Sequence, residues 1–144
     1  MAPPRLVVDT NVLIAAVVSR GGTCDELLTA ALAGRWRPIV SPILLEELAD
    51  VFGRPKFRRN ISSEQVEAFT ADLALVTEVW PDSLELPGAT EDPDDDFLVA
   101  LAVSSRAAGI VSGDSHLTAP TNELPVAVFT PAQLLADLDA STDT

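Results

Sequence analysis

Few residue types with special chemistry are present in this 144-residue chain. There is one cysteine, one histidine, one lysine and no tyrosine. A lone cysteine, Cys24, excludes an intrachain disulfide and any cysteine-rich zinc site, and agrees with a reducing, cytosolic setting. With His116 the sole histidine and no nucleophile elbow in the sequence, a Ser-His-Asp hydrolase has little to stand on, and His116 reads as a loop residue. The absence of tyrosine argues against an aromatic RNA-stacking sheet, and the Phe and Trp residues outside one basic segment read as core. No Gly-rich phosphate loop, internal repeat, linker or low-complexity tract is found. No apolar run approaches the roughly 20 residues that cross a bilayer. The run Val12–Val18 follows Asp9 directly and leads into Ser19-Arg20-Gly21-Gly22, so a buried helix after a strand explains it better than a signal-peptide core.

Acid is abundant. The formal net charge is −13, unevenly spread. Residues 1–60 hold eight Lys/Arg against six Asp/Glu, whereas residues 61–144 hold Arg106 alone against sixteen acids. Such a chain is a poor general binder of nucleic acid, because phosphate affinity comes from Lys and Arg. A single basic patch can still guide a polyanion, and the acidic half suits a basic protein partner. Hydrophobic residues make up 47%, ample for a core. At this length one domain is expected, over residues 1–144 with a core of about 5–138.

Short β-rich runs alternate with helical stretches, which predicts an α/β fold with a central, mostly parallel sheet. The strand candidates are Leu6–Asp9, Pro38–Ser41, Val76–Val79, Gly109–Ser112 and Val126–Phe129. They are apolar almost throughout, as strands covered on both faces should be. Helices are expected over Val12–Val18 and Cys24–Ala33, then from Pro42 to about Phe52. Ser62-Ser63-Glu64-Gln65 is a capping-box signature for a helix to about Leu73. Asp94 or Asp95 caps a helix expected to reach Ala108, with Gly109 as its stop. Thr130-Pro131 opens a last short helix, whose tail from Ser141 to Thr144 frays.

Four acids fall at strand ends or on neighbouring helices: Asp9 and Asp114 at strand ends, Glu47 two turns into a helix, and Asp96 in a helix first turn. In open parallel sheets ligands bind beyond the carboxyl ends of the strands. Four carboxylates without a histidine favour a hard cation, Mg²⁺ or Mn²⁺, over zinc. Such ions hold a phosphate oxygen and activate water against a phosphodiester. Each acid also has an ordinary reading. Asp9 serves as a helix cap, Glu47 as a solvated helix residue like Glu46, Asp96 as one member of an N-terminal acidic cluster with Asp94 and Asp95, and Asp114 as a turn residue. Thr10, Asn11 and Ser112 are candidates to hydrogen-bond a ligand carboxylate or a phosphate, and Asn11 equally suits helix capping. Arg54, Lys56, Arg58 and Arg59 surround Phe57 and are read either as a solvated loop or as a rim that contacts RNA phosphates.

Other acidic sites fit less well. An EF-hand loop beginning at Asp92 would need glycine where Phe97 stands and glutamate where Val103 stands. A haloacid-dehalogenase-like phosphatase would need aspartate at Asn11, and a receiver domain a late lysine, whereas Lys56 is the only one.

The sequence resembles the PIN domain family. Val-Val-Asp-Thr-Asn-Val at 7–12 is similar to its opening block. Ser-Pro-Ile-Leu-Leu-Glu-Glu-Leu at 41–48, with Arg-Pro-Lys-Phe-Arg-Arg at 54–59, resembles its second. Asp-Pro-Asp-Asp-Asp-Phe-Leu-Val-Ala-Leu-Ala at 92–102 and Ile-Val-Ser-Gly-Asp at 110–114 resemble its third and fourth. The nearest group is the VapC-like toxins of bacterial toxin–antitoxin pairs, and the likeness is looser after Asp114. The resemblance implies a three-layer α/β/α sandwich and a Mg²⁺- or Mn²⁺-dependent endoribonuclease with Asp9, Glu47, Asp96 and Asp114 as ligands, Asp95 being the neighbouring alternative to Asp96. It also implies an antitoxin partner with a basic tail, and commonly a homodimer. The alternative function is a non-catalytic module of the same fold whose acidic cleft holds a basic partner.

Overall fold

The computed structural model describes residues 2–82, 93–114 and 125–142, with side chains of 93–96 and 141–142 outside the description. Five strands form one sheet: β1 (Arg5–Val8), β2 (Arg37–Val40), β3 (Glu78–Val79), β4 (Gly109–Val111) and β5 (Val128–Phe129). Their order is β3-β2-β1-β4-β5, and every pairing is parallel. Seven helices are present among the described residues: α1 (Thr10–Val18), α2 (Thr23–Leu32), α3 (Pro42–Gly53), α4 (Pro55–Arg58), α5 (Ser63–Val76), α6 (Pro93–Ser104) and α7 (Pro131–Thr142).

The three-layer form follows from burial. Successive strand side chains point to opposite faces. Leu6, Val7 and Val8 are nevertheless all buried, as are Ile39 with Val40 and Ile110 with Val111. Both faces of the sheet are therefore covered, and the fold is the expected α/β/α sandwich. No helix is long and apolar enough to cross a membrane among the described residues.

The strand order reverses at β1. The chain steps outward from β1 to β2 and β3, then returns to place β4 on the other side of β1. This switch point sets the carboxyl ends of β1 and β4 side by side, with Val8 opposite Val111. The Asp9 amide extends the pairing by donating to the Val111 carbonyl at 3.0 Å.

Local signals explain most element boundaries. Asp9 caps α1 in extended conformation, accepting from the Asn11 amide. Ser41 caps α3, with Pro42 at its first turn. Both halves of the capping box between Ser62 and Gln65 are formed at the start of α5. Gly34, at φ +79°, closes α2, where the Arg35 amide reaches the Ala30 carbonyl.

Most boundaries shift by a residue or two, and four elements depart further from expectation. Val76 ends α5 instead of starting β3, which shrinks to Glu78–Val79 because the helix caps only at Thr77. The basic segment after Gly53 is not a loop but the single turn α4, opened by Pro55. Helix α6 begins at Pro93 and stops at Ser104, not Ala108. Arg106 takes the left-handed conformation at φ 56°, and the amides of Arg106 and Ala107 close back on the carbonyls of Val103 and Ala102. This turn frees Ala108 to donate to the Arg5 carbonyl and start β4. The last helix, α7, is 12 residues long rather than short, and Ser141 and Thr142 belong to it.

Arg5 ties the opposite end of the sheet together. Its guanidinium makes two 2.9 Å bonds to the Glu78 carboxylate and a 3.0 Å bond to the Ser105 carbonyl, where α6 ends. It also lies over the Trp80 ring, whose indole N–H donates to Glu78.

Candidate functional site

Asp9 follows β1 and is 7% exposed, unusual for an acid with no basic partner in its hydrogen bonds. Its carboxylate is held by hydroxyl and amide donors. Ser112, fully buried and immediately after β4, donates from Oγ to Asp9 Oδ2 at 2.7 Å. The Asn11 amide approaches Oδ1 at 3.4 Å. The same Ser112 Oγ accepts from the Asp114 amide at 3.0 Å. One serine therefore links the two strand-end acids across the switch point.

Glu47 reaches the patch from α3. Thr10, buried at the start of α1, donates from Oγ1 to Glu47 Oε2 at 2.9 Å. Since Thr10 is bonded in sequence to Asp9, the chain Glu47–Thr10–Asp9–Ser112–Asp114 joins three of the four proposed acids through short polar contacts. Asn11 contributes its backbone N–H, and its side chain is exposed and makes no hydrogen bond among the described residues. Asp96 is the fourth residue of α6, and its side chain lies outside the described residues. His116 and its neighbours also fall outside them. Among the described residues no three His, Cys, Asp or Glu side chains are grouped closely enough to hold a metal ion.

The donor set still fits a hard divalent cation. Among the described residues the groups at the switch point are carboxylate and hydroxyl oxygens, without thiol or imidazole. Asp9 is buried with the Ser112 hydroxyl and the Asn11 amide as its donors and no basic side chain among them, a setting that suits an added cation.

The basic segment follows Glu47 along the chain, at the end of α3 and in α4. Arg54 is the junction of the two helices and pairs with Asp50 at 2.9 Å, both side chains exposed. Lys56, Arg58 and Arg59 are exposed and form no ion pair among the described residues. Phe57 packs on Phe52 with ring centroids 4.9 Å apart. Beside it is a cavity of about 260 Å³ lined by Val18, Val51, Arg54, Lys56, Phe57, Asn60 and Ile61. Sequence reasoning did not single out Val18, Val51 or Asn60. The available signal was spacing: Thr10, Ile14 and Val18 share one face of α1, and Glu47 and Val51 one face of α3.

The chain is thus a parallel α/β/α sandwich with Asp9 and Asp114 just beyond the carboxyl ends of its two adjacent central strands. The PIN domain family profile matches residues 5–116, and the chain belongs to the PIN domain family. Two solved structures share the fold. The VapBC2 structure from Rickettsia felis, bound to a DNA fragment from their promoter, matches with a TM-score of 0.60 and 16% identity over 88% of this chain and 98% of that one. PAE2754 from Pyrobaculum aerophilum matches with a TM-score of 0.53 and 17% identity over 97% of this chain and 92% of that one. No functionally curated protein matches the sequence significantly.

Proposed function

We propose that this PIN domain is a metal-dependent endoribonuclease and the toxin of a toxin–antitoxin pair. The observation that carries the reading is the buried Asp9 carboxylate, held by Ser112 at the meeting of the two central strands and joined through Ser112 to Asp114. Asp9, Glu47, Asp96 and Asp114 are the residues assigned to hold Mg²⁺ or Mn²⁺. A bound divalent ion supplies positive charge for the phosphate and lowers the pKa of water. The protein's own part is to fix its acids before the substrate arrives. Ser112 sets the orientation of Asp9, and Thr10 sets that of Glu47. Arg54, Lys56, Arg58 and Arg59 are assigned to the phosphates flanking the cut, where cations position an RNA without reading its sequence. The structural likeness to a VapBC2 complex supports an antitoxin partner, and the acidic second half of the chain suits a basic segment of it. A homodimer and a cytoplasmic location complete the reading.

One observation favours a second reading, a binding module without catalysis. The described acids are linked but not clustered tightly enough to hold a metal ion. Incubating the purified chain with single-stranded RNA in Mg²⁺, in Mn²⁺ and in EDTA separates the two. The ribonuclease reading expects metal-dependent cutting, lowered more than about a hundredfold by Asp9→Asn and by Asp96→Asn with both variants still folded by circular dichroism. Wild-type rates in Asp9→Asn would overturn the site. Absence of cutting by the parent chain across a randomised RNA pool would leave the binding module.

A further inference from the structure

We infer that the cavity between α1, α3 and α4 is a pocket for one unpaired nucleobase of the RNA. This rests on the ribonuclease reading and adds to it a place where base identity is felt. The position of the cavity is fixed by two helical stripes. On α1, Thr10, Ile14 and Val18 recur every fourth residue and so share a face. On α3, Glu47 and Val51 do the same, with Arg54 one further turn on. Thr10 and Glu47 are hydrogen bonded at the acidic end, while Val18 and Val51 both line the cavity at the other. At 1.5 Å of rise per residue, Val18 lies roughly 12 Å along α1 from Thr10, and Val51 about 6 Å along α3 from Glu47. The cavity therefore lies on the same pair of helices as the Thr10–Glu47 contact, toward the C-terminal end of α1.

Its chemistry suits a base attached to a phosphate chain. The walls are Val18, Val51, Ile61 and the Phe57 ring, an apolar and aromatic surface for a flat π-face. The rim carries Arg54 and Lys56, within a segment that holds four of the chain's nine Lys/Arg. Arg54 is engaged only by an exposed pair with Asp50, a weak contact that a phosphate can displace. Asn60 offers both a donor and an acceptor, and its amide reaches the Lys56 carbonyl only at 3.5 Å, so a base edge can take its place. Val18 is 53% exposed at the mouth, an apolar surface left to water in the free protein. The volume, about 260 Å³, lies below the range of pockets that enclose a whole drug-sized ligand, and suits a single base. Cations at the rim oppose a basic protein tail at this place, which is why a nucleotide is favoured over a peptide.

The test uses the full chain in EDTA, so that cleavage plays no part. Amide resonances are followed by ¹⁵N NMR during titration with the four nucleoside 5′-monophosphates and with ribose 5-phosphate, which lacks a base. The expected result is saturable shifts at Val18, Val51, Phe57 and Asn60, with at least one nucleotide binding about tenfold tighter than ribose 5-phosphate, as one base–aromatic contact supplies. Val18→Trp fills the mouth from an exposed position and is expected to erase that tenfold advantage. Leu75→Ser, at an 80% exposed apolar site on α5, serves as the unaffected control. Equal binding of ribose 5-phosphate, or shifts confined to Arg58 and Arg59, would overturn the pocket. So would shifts at the lining residues induced by a basic amphipathic peptide but by no nucleotide. Failure here leaves the ribonuclease reading intact. Conversely, base binding in a chain that cuts no RNA overturns the ribonuclease reading and keeps the pocket.

Discussion

Ser112 does at the residue scale what no single acid does: it holds two of them. Its hydroxyl proton is committed to Asp9 and its lone pair to the Asp114 amide. Ser112→Ala removes both contacts with little change of volume, and the expected loss in metal affinity or cleavage is about 10- to 100-fold, measurable by calorimetry and by RNA cutting. Arg5 and Glu78 form the other polar knot, at a distance from the acids. Hydrogen bonds from Arg5 and then from Trp80 bring the Glu78 carboxyl down from 4.5 to about 2. A depressed carboxyl stabilises the fold fully above its unfolded value and ceases to do so as pH falls through the folded one. The stability from this knot is therefore present above about pH 4.5 and lost between there and about pH 2. Both side chains are about a quarter to a third exposed, so the contribution after solvent screening is about 1–2 kcal/mol. Glu78→Gln should lower Tm at pH 7 by a few degrees, and the difference from the parent should vanish toward pH 2–3. The sequence offered Asp9, Thr10 and Ser112 because each stands at an element end, and Glu47 because it lies on the helix after the second strand. It could not show Arg5 meeting Glu78, 73 residues away, since only the sheet order brings them together.

At the scale of elements, all five strands were legible from short apolar runs, and most helices from their caps. What escaped was the competition between neighbours. Val76 is apolar and β-branched, yet the capping box at Ser62 launches a helix strong enough to include it. Gly109 was read as a helix stop, although the stop is Arg106 in the left-handed conformation. Gly109 has a different reason to lack a side chain. A Cβ there would lie 2.6 Å from the Ala127 carbonyl oxygen and 2.9 Å from the Phe129 ring, so β5 approaches β4 only over a bare backbone. Gly109→Ala is expected to destabilise the protein by about 1–3 kcal/mol through displacement of β5, read as a lower midpoint in urea with little change in slope. Helix α4 was missed because a four-residue turn carries no periodicity, even with Pro55 in place to start it.

The whole molecule is electrically lopsided. Its cations are gathered in the first 60 residues and its acids dominate the remainder. RNA held by Arg54, Lys56, Arg58 and Arg59 should bind the EDTA-treated protein with a strong salt dependence, log Kd rising with log salt at a slope of about 0.7 per neutralised phosphate. The double variant Arg58→Ala/Arg59→Ala is expected to weaken binding evenly across RNA sequences and to reduce that slope by about 1.4. The charge split was plain in the sequence, whereas the meeting of Asp9 with Asp114 through Ser112 depends on the strand order reversing at β1. Among the described residues that same sheet tapers to two residues at each border, Glu78–Val79 and Val128–Phe129. So short a margin presents almost no open backbone for a stranger's strand to zip onto, and the protein should withstand edge-to-edge aggregation at high concentration even though nearly half of its residues are hydrophobic.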